Sequence, residues 1–133
     1  MSSGEHKSKA PKSLNYAVIT ILDSCYKGVA EDRSGKYILE KLSENNHVTK
    51  NIVVPDEEEK IKKAIYDSLE GVDCIVTTGG TGITKRDVTI QTVKKLINKE
   101  IVGFGEIFRY LSYKEIGFPA IISGAVCGTI EDK

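Results

Sequence analysis

Charge of one sign is the first thing missing: nineteen Lys and Arg are matched by nineteen Asp and Glu. With no net field to draw a polyanion or an anionic membrane surface, nucleic acid and membrane are not expected as partners, and ligands must be recognised locally. Cysteine and histidine are scarce. Cys25, Cys74 and Cys127 are odd in number, far apart and free of Cys-x-x-Cys spacing, and His6 and His47 are their sole possible companions. This argues against a disulfide framework and against zinc. No histidine is placed to activate Cys25 as a nucleophile, so Ser-His or Cys-His chemistry has no support. Cys74 and Cys127 read as small buried hydrophobes. No apolar run approaches membrane-spanning length, and Met1–Lys12 lacks the apolar segment of a secretory signal. The expected location is cytoplasmic. Internal repeats are absent as well.

What remains is enough chain, at 133 residues, to bury one core without metal or disulfide. Residues 1–13 are polar and read as a flexible tail, leaving residues 14–133 as one domain. Tyr16–Leu22 is a continuous apolar run, the pattern of a parallel strand covered on both faces, and it stops at Asp23-Ser24. A loop runs to about Asp32. Ser34–Asn46 has helical periodicity, Val48–Val54 reads as a strand closed by Pro55-Asp56, and Ile61, Ala64, Ile65 and Leu69 mark the next helix. The acids Glu57, Glu58 and Glu59 complement that helix's dipole and need no other role. Val72–Val76 reads as a strand. Helices are expected over Thr89–Asn98 and Gly105–Ile116, and Pro119–Ser123 as a further strand. The order predicts an α/β fold of three layers, a mostly parallel sheet with helices on both faces.

The most informative stretch follows the third strand. Thr77-Thr78-Gly79-Gly80-Thr81-Gly82 puts three glycines in four positions, with Lys85, Arg86 and Asp87 close behind. Glycines let backbone N–H groups approach a ligand, and such donors ahead of a helix make an anion-binding concavity suited to phosphate. The loop fits neither the Walker A pattern nor the dinucleotide fingerprint; an ordinary strand-to-helix turn is the alternative. In parallel sheets ligands bind beyond the carboxyl ends of the strands. Asp23-Ser24, Pro55-Asp56 and the glycine loop should therefore share one rim. There Asp56 and Asp87 would face the loop, an arrangement suited to holding hydrated Mg²⁺ against a nucleoside triphosphate.

These residues resemble a known family. Thr77–Gly82 followed by Arg86-Asp87-Val88-Thr89 is similar to the signature of the MoaB/MogA family of molybdenum cofactor biosynthesis proteins, also seen in the G domain of gephyrin. Asp32-Arg33-Ser34-Gly35, Val54-Pro55-Asp56, Gly103–Arg109 and Ser112–Gly117 match further family motifs, so the resemblance runs from about Tyr16 to Gly128. It implies a molybdopterin-binding fold and Mg²⁺- and ATP-dependent adenylylation of molybdopterin with release of pyrophosphate. It also implies a homo-oligomer, trimer or hexamer, working beside other enzymes of the cofactor pathway. By the same resemblance Asp56 and Asp87 become the catalytic and Mg²⁺-holding residues. Thr78, Gly79, Gly80, Thr81, Gly82 and Glu106 become nucleotide- or phosphate-binding, and Asp23, Ser24 and Ser123 molybdopterin-binding. From position alone Asp23 and Ser24 read equally as turn residues, and Glu106 with Arg109 as a surface ion pair. Two departures stand out. The family reads Ser-Arg-Ala where this chain has Ser123-Gly124-Ala125, and the family's Pro-Gly-Ser/Asn segment and terminal helix fall beyond Lys133, so the domain is expected to lack its usual C-terminal end. The alternative function is therefore a non-catalytic molybdopterin- or nucleotide-binding member of the family; an assembly module of the gephyrin kind is disfavoured.

Overall fold

The computed structural model describes residues 2–133. Its centre is β1 (Asn15–Ile21), whose last five residues are all buried. β2 (His47–Val54) and β3 (Cys74–Thr78) flank it in parallel, giving the strand order β2-β1-β3. Strands alternate their side chains between the two faces, and the faces of β1 are divided accordingly. Ile19 and Ile21 join Ile61 and Ile65 of α4 (Glu58–Ser68) and Leu96 of α5 (Thr89–Leu96) in one core cluster. On the other face Thr20 donates to Asp32 Oδ2 at 2.7 Å. Asp32 caps α3 (Arg33–Ser43) by accepting from Gly35 N at 2.8 Å. Thus α3 and α4 cover opposite faces, as expected of an α/β fold.

The chain leaves β1 through α3 to β2 on one side, then crosses back through α4 to β3 on the other. The reversal falls at the carboxyl end of β1. Register there is tight, with Ile21 opposite Val54 and Thr20 opposite Thr78, so the three strand ends form one rim.

Several local expectations are corrected. Within the stretch read as a flexible tail, α1 (Ser3–Lys9) is a helix closed by a capping box, Ser2 N to Glu5 Oε2 at 2.8 Å and Glu5 N to Ser2 Oγ at 3.2 Å. It buries nothing, so local capping alone defines it. Met1 lies outside the described residues. α2 (Asp23–Tyr26) is a single helical turn inside the expected loop. The third strand begins at Cys74 rather than Val72 and takes in Thr77 and Thr78, whose β-branched side chains suit it.

Pro119–Ser123 is not a strand. Residues Phe118–Ile122 form a 3₁₀ helix instead, entered through Gly117 at φ 75°. Proline, without an N–H and with φ fixed, suits a first helical turn better than a ladder. A two-stranded antiparallel sheet of β4 (Lys99–Glu100) and β5 (Gly128–Thr129) was not expected. Its four residues show no alternation from which to read it. α6 (Val102–Ile116) starts three residues earlier than expected and buries only Gly105.

Core packing predicts an uneven response to truncation. Ile61 is fully buried, so Ile61→Ala should lower the unfolding free energy in denaturant by about 3 kcal/mol. Val29→Ala, at a side chain 80% exposed, should stay within about 0.5 kcal/mol of the parent.

Candidate active site

The rim is built by backbone first. Leu22 N donates to Val54 O at 3.0 Å as β1 ends. Immediately beyond, two aspartates exchange hydrogen bonds: Asp23 N donates to Asp56 Oδ2 at 3.0 Å, and Asp56 N to Asp23 Oδ1 at 2.9 Å. Each carboxylate thereby satisfies the other strand's first free N–H. The clasp closes the β1 and β2 ends against each other.

The glycine loop lies over this clasp. Gly79 and Gly80 adopt φ 95° and 64°, a region that only glycine enters without strain. The space around them is also closed to a side chain: a Cβ at Gly79 would strike the Ile21 carbonyl, and one at Gly80 would strike Thr89 Oγ1 and lie 2.8 Å from Asp56 Oδ1. Thr89, fully buried at the start of α5, holds the loop from behind. Its Oγ1 donates to Gly79 O at 2.8 Å and its N–H to Gly80 O at 3.1 Å. With both carbonyls turned to Thr89, the N–H groups of Gly80 and Thr81 have no protein acceptor among the described residues. α5 has no side-chain cap, so beyond the Thr89 N–H given to Gly80 O its next N–H groups, those of Ile90 and Gln91, add to the same positive end.

Asp87 closes the loop on itself. Thr84 N donates to Asp87 Oδ2 at 3.0 Å and Thr84 Oγ1 to the same oxygen at 2.7 Å. These bonds, the hydroxyl's first, hold the Asp87 carboxyl below its usual range. Asp56 is the opposite case. It is 7% exposed, and burial pushes its carboxyl up, opposed by the Asp23 N–H and reinforced by the Asp23 charge. Asp56 Oδ1 is buried with no partner, facing the glycine loop.

Of the residues expected here, Asp23, Asp56, Thr78, Gly79, Gly80, Thr81, Gly82 and Asp87 are brought together. Asp23 is already engaged, by Asp56 N and by Arg86, whose Nε reaches Oδ2 at 3.0 Å and whose Nη2 lies 2.8 Å from both oxygens. The Asp56 N–H and then Arg86 keep the Asp23 carboxyl below its usual range. Ser24 is partly buried in the adjoining turn, its carbonyl taken by Val29 N and Ala30 N. Ser123 is next to Gly124, where a Cβ would strike the Thr81 carbonyl, so it flanks the loop. Glu106 is exposed on α6 and forms no hydrogen bond or ion pair among the described residues. Sequence reading assigned no individual role to Arg86, Thr89 or Asp32. A helix-initial threonine after a glycine loop was the available signal for Thr89; nothing local marks Arg86 as Asp23's partner, 63 residues away.

Two recesses meet at Thr78 and Gly79. A cleft of about 480 Å³ runs along the free edge of β3, with Thr81, Ile90, Val93, Phe104 and Gly124 among its walls. A smaller one of about 220 Å³ lies on the α3 side, between Thr20, Asp32, Ser34 and Gly79.

Comparison with known proteins gives this geometry a lineage. A family model described as a probable molybdopterin binding domain matches residues 17–130. The molybdopterin adenylyltransferase of Pyrococcus furiosus is 43% identical over 131 residues, covering 98% of this chain and 77% of that one. Molybdenum cofactor biosynthesis protein B of Bacillus cereus is 47% identical over 137 residues, covering 100% and 80%. Among solved structures, the tungsten cofactor synthesizing protein MoaB of P. furiosus superposes with a TM-score of 0.87 at 42% identity, covering 92% of this chain and 76% of that one. By that match and these identities, the chain belongs to the molybdopterin-binding family of molybdenum cofactor biosynthesis proteins.

Proposed function

We propose that this protein is a molybdopterin adenylyltransferase, joining molybdopterin to AMP from ATP. The terminal phosphate oxygen of the pterin attacks the α-phosphorus of ATP; that P–O bond forms as the bond to the β-phosphate oxygen breaks, and pyrophosphate leaves with the electron pair. The observation that carries this reading is Asp56 Oδ1, buried and unpartnered beside free loop N–H groups. Relatives at 43% and 40% identity named as certain or probable molybdopterin adenylyltransferases support it. Because the substrate brings its own nucleophile, the protein's task is orientation and charge stabilisation rather than proton abstraction. The Gly80 and Thr81 N–H groups, which have no protein acceptor among the described residues, would hold phosphate oxygens together with the start of α5. Asp23, Ser24 and Ser123 border the loop where the pterin would enter.

Magnesium fits the donor set. No three His, Cys, Asp or Glu side chains converge as a cage among the described residues. Mg²⁺ is commonly held by one or two carboxylates together with substrate phosphates and water, and the open oxygen of Asp56 beyond β2 and the Asp87 carboxylate of the glycine loop would supply that pair. When bound, the cation offsets charge developing on the phosphate oxygens.

A non-catalytic binding role is favoured by one observation. At position 124 the Thr81 carbonyl occupies the space a Cβ would need, so the cationic side chain of the related motif has no counterpart here. Molybdopterin-dependent release of pyrophosphate from Mg-ATP supports the enzyme; ATP binding with no release supports the binder.

A homo-oligomer is part of this proposal. Phe104, Ile107, Phe108 and Leu111 on α6 are each more than two-fifths exposed, an apolar face large enough to mark an interface. A trimer, alone or paired as a hexamer, is expected by light scattering, and Leu111→Glu should shift it toward monomer. A monodisperse parent monomer at micromolar concentration would refute the assembly. No helix among the described residues is long and apolar enough to cross a membrane; cytoplasmic location and work beside other cofactor-pathway enzymes belong to the proposal.

Asp87→Asn tests the site directly. Asn keeps an oxygen for Thr84, and the α5 N-cap is Val88 rather than Asp87, so folding should survive. Turnover should fall on the order of 10²-fold, about 3 kcal/mol in the barrier. An active but destabilised variant in paired melting and pyrophosphate assays would make Asp87 a turn residue only.

A further inference from the structure

The ion pair between Arg86 and Asp23 does more than decorate the rim. An exposed pair of this kind ordinarily contributes little to stability, under about 1 kcal/mol, and Arg86 is 60% exposed. Its location is what matters. Asp23, only 27% exposed, accepts the Asp56 N–H on the same Oδ1 that Arg86 Nη2 holds. Arg86 is in turn the immediate neighbour of Asp87. One guanidinium therefore ties the loop carrying Asp87 to the clasp carrying Asp56, across separations of 63 and 33 residues in sequence.

Resting on the adenylyltransferase reading above, we propose that Arg86 is a positioning residue for transfer: acting through Asp23, it sets the spacing and aim of Asp56 and Asp87 toward the bound phosphates. Three carboxylates share this rim, and Asp23 and Asp87 both raise the electrostatic cost of charging Asp56. The guanidinium offsets that crowding and, being a planar fork, also fixes the plane of Asp23. A lysine supplies charge without the fork. With Asp23 held, the two N–H groups of the clasp keep their acceptors and Asp56 Oδ1 stays directed at Gly80. With Arg86 gone, the Asp23 carboxylate turns toward solvent and the loop loses its tie to β1. The protein still folds, because no core residue is touched, and substrate still meets the loop N–H groups.

The experiment compares the parent with Arg86→Gln, Arg86→Lys, Asp23→Asn and the double variant Arg86→Gln/Asp23→Asn, measuring kcat and KM for ATP by pyrophosphate release. Arg86→Gln and Asp23→Asn should each lower kcat between about tenfold and 10²-fold, the scale of a misplaced reacting group. KM for ATP should stay within about twofold, and the double variant should be no slower than the worse single. Arg86→Lys should be nearly as slow as Arg86→Gln. A raised KM with kcat unchanged, or losses that multiply in the double variant, would mean that Arg86 grips substrate directly and would overturn the proposal. Amide hydrogen exchange decides the matter without turnover. In Arg86→Gln the Asp23 and Asp56 amides should exchange on the order of tenfold faster while Ile19 stays protected; unchanged exchange at both would overturn the clasp even in a catalytically competent parent. If the parent releases no pyrophosphate, the adenylyltransferase reading fails on its own, and the exchange result still upholds or overturns the Arg86 tie.

Discussion

The site depends on a single steric constraint, the closeness of the loop after β3 to the end of β1. The Ile21 carbonyl stands where a Cβ of residue 79 would be, and Asp56 Oδ1 stands close to where a Cβ of residue 80 would be. Only glycine allows both approaches, and both glycines are in the left-handed region as well. The two demands act together. Space alone could be relieved by moving the loop outward, and backbone strain alone costs on the order of 1 kcal/mol. Moving the loop outward, however, would carry Gly79 and Gly80 away from Thr89, whose two hydrogen bonds hold their carbonyls.

Electrostatics follow from that packing. Bringing the loop down delivers Asp87 to a rim already occupied by Asp23 and Asp56, and carboxylates so gathered repel. The structure answers each differently. Thr84 donates twice to Asp87, Arg86 and the Asp56 N–H saturate Asp23, and Asp56 alone keeps a buried oxygen without a donor. The asymmetry is chemical information. A buried polar atom without a partner carries a free-energy penalty of about 1–3 kcal/mol, and among the three carboxylates Asp56 is the one that bears it.

The sequence makes the strand-loop-helix plan legible because buried parallel strands are continuous apolar runs and glycine clusters interrupt them sharply. Tyr16–Leu22 is read as a strand and Gly79–Asp87 as the break after one for that reason, and the sharing of one rim by three strand ends follows from parallel topology. Elements held by other means are not legible. α1 depends on a two-residue capping box rather than on an apolar face, and β4 with β5 is two residues per strand. The Phe118–Ile122 turn is apolar enough to suggest a strand until Pro119 and the positive φ of Gly117 are considered together. Glu106 is associated with the loop by motif alone; on α6 its side chain is exposed and has no hydrogen-bond or ion-pair partner among the described residues.

The same distinction separates what the family pattern supplies from what this chain adds. Glycine loop, Asp56 and Asp87 can be proposed as a phosphate site from the sequence, because phosphate binding by backbone N–H groups needs no distant partner. Asp23 and Arg86 are different: each looks like an ordinary turn or surface residue until the fold joins them. Gly124 belongs with them. Its lack of a side chain lets the stretch after the 3₁₀ turn lie directly on the Thr81 carbonyl, a contact at a third side of the loop. The loop of this chain is held by Thr89, by the Arg86–Asp23 pair and by the Gly124 contact, three attachments far apart in sequence that only the fold brings together.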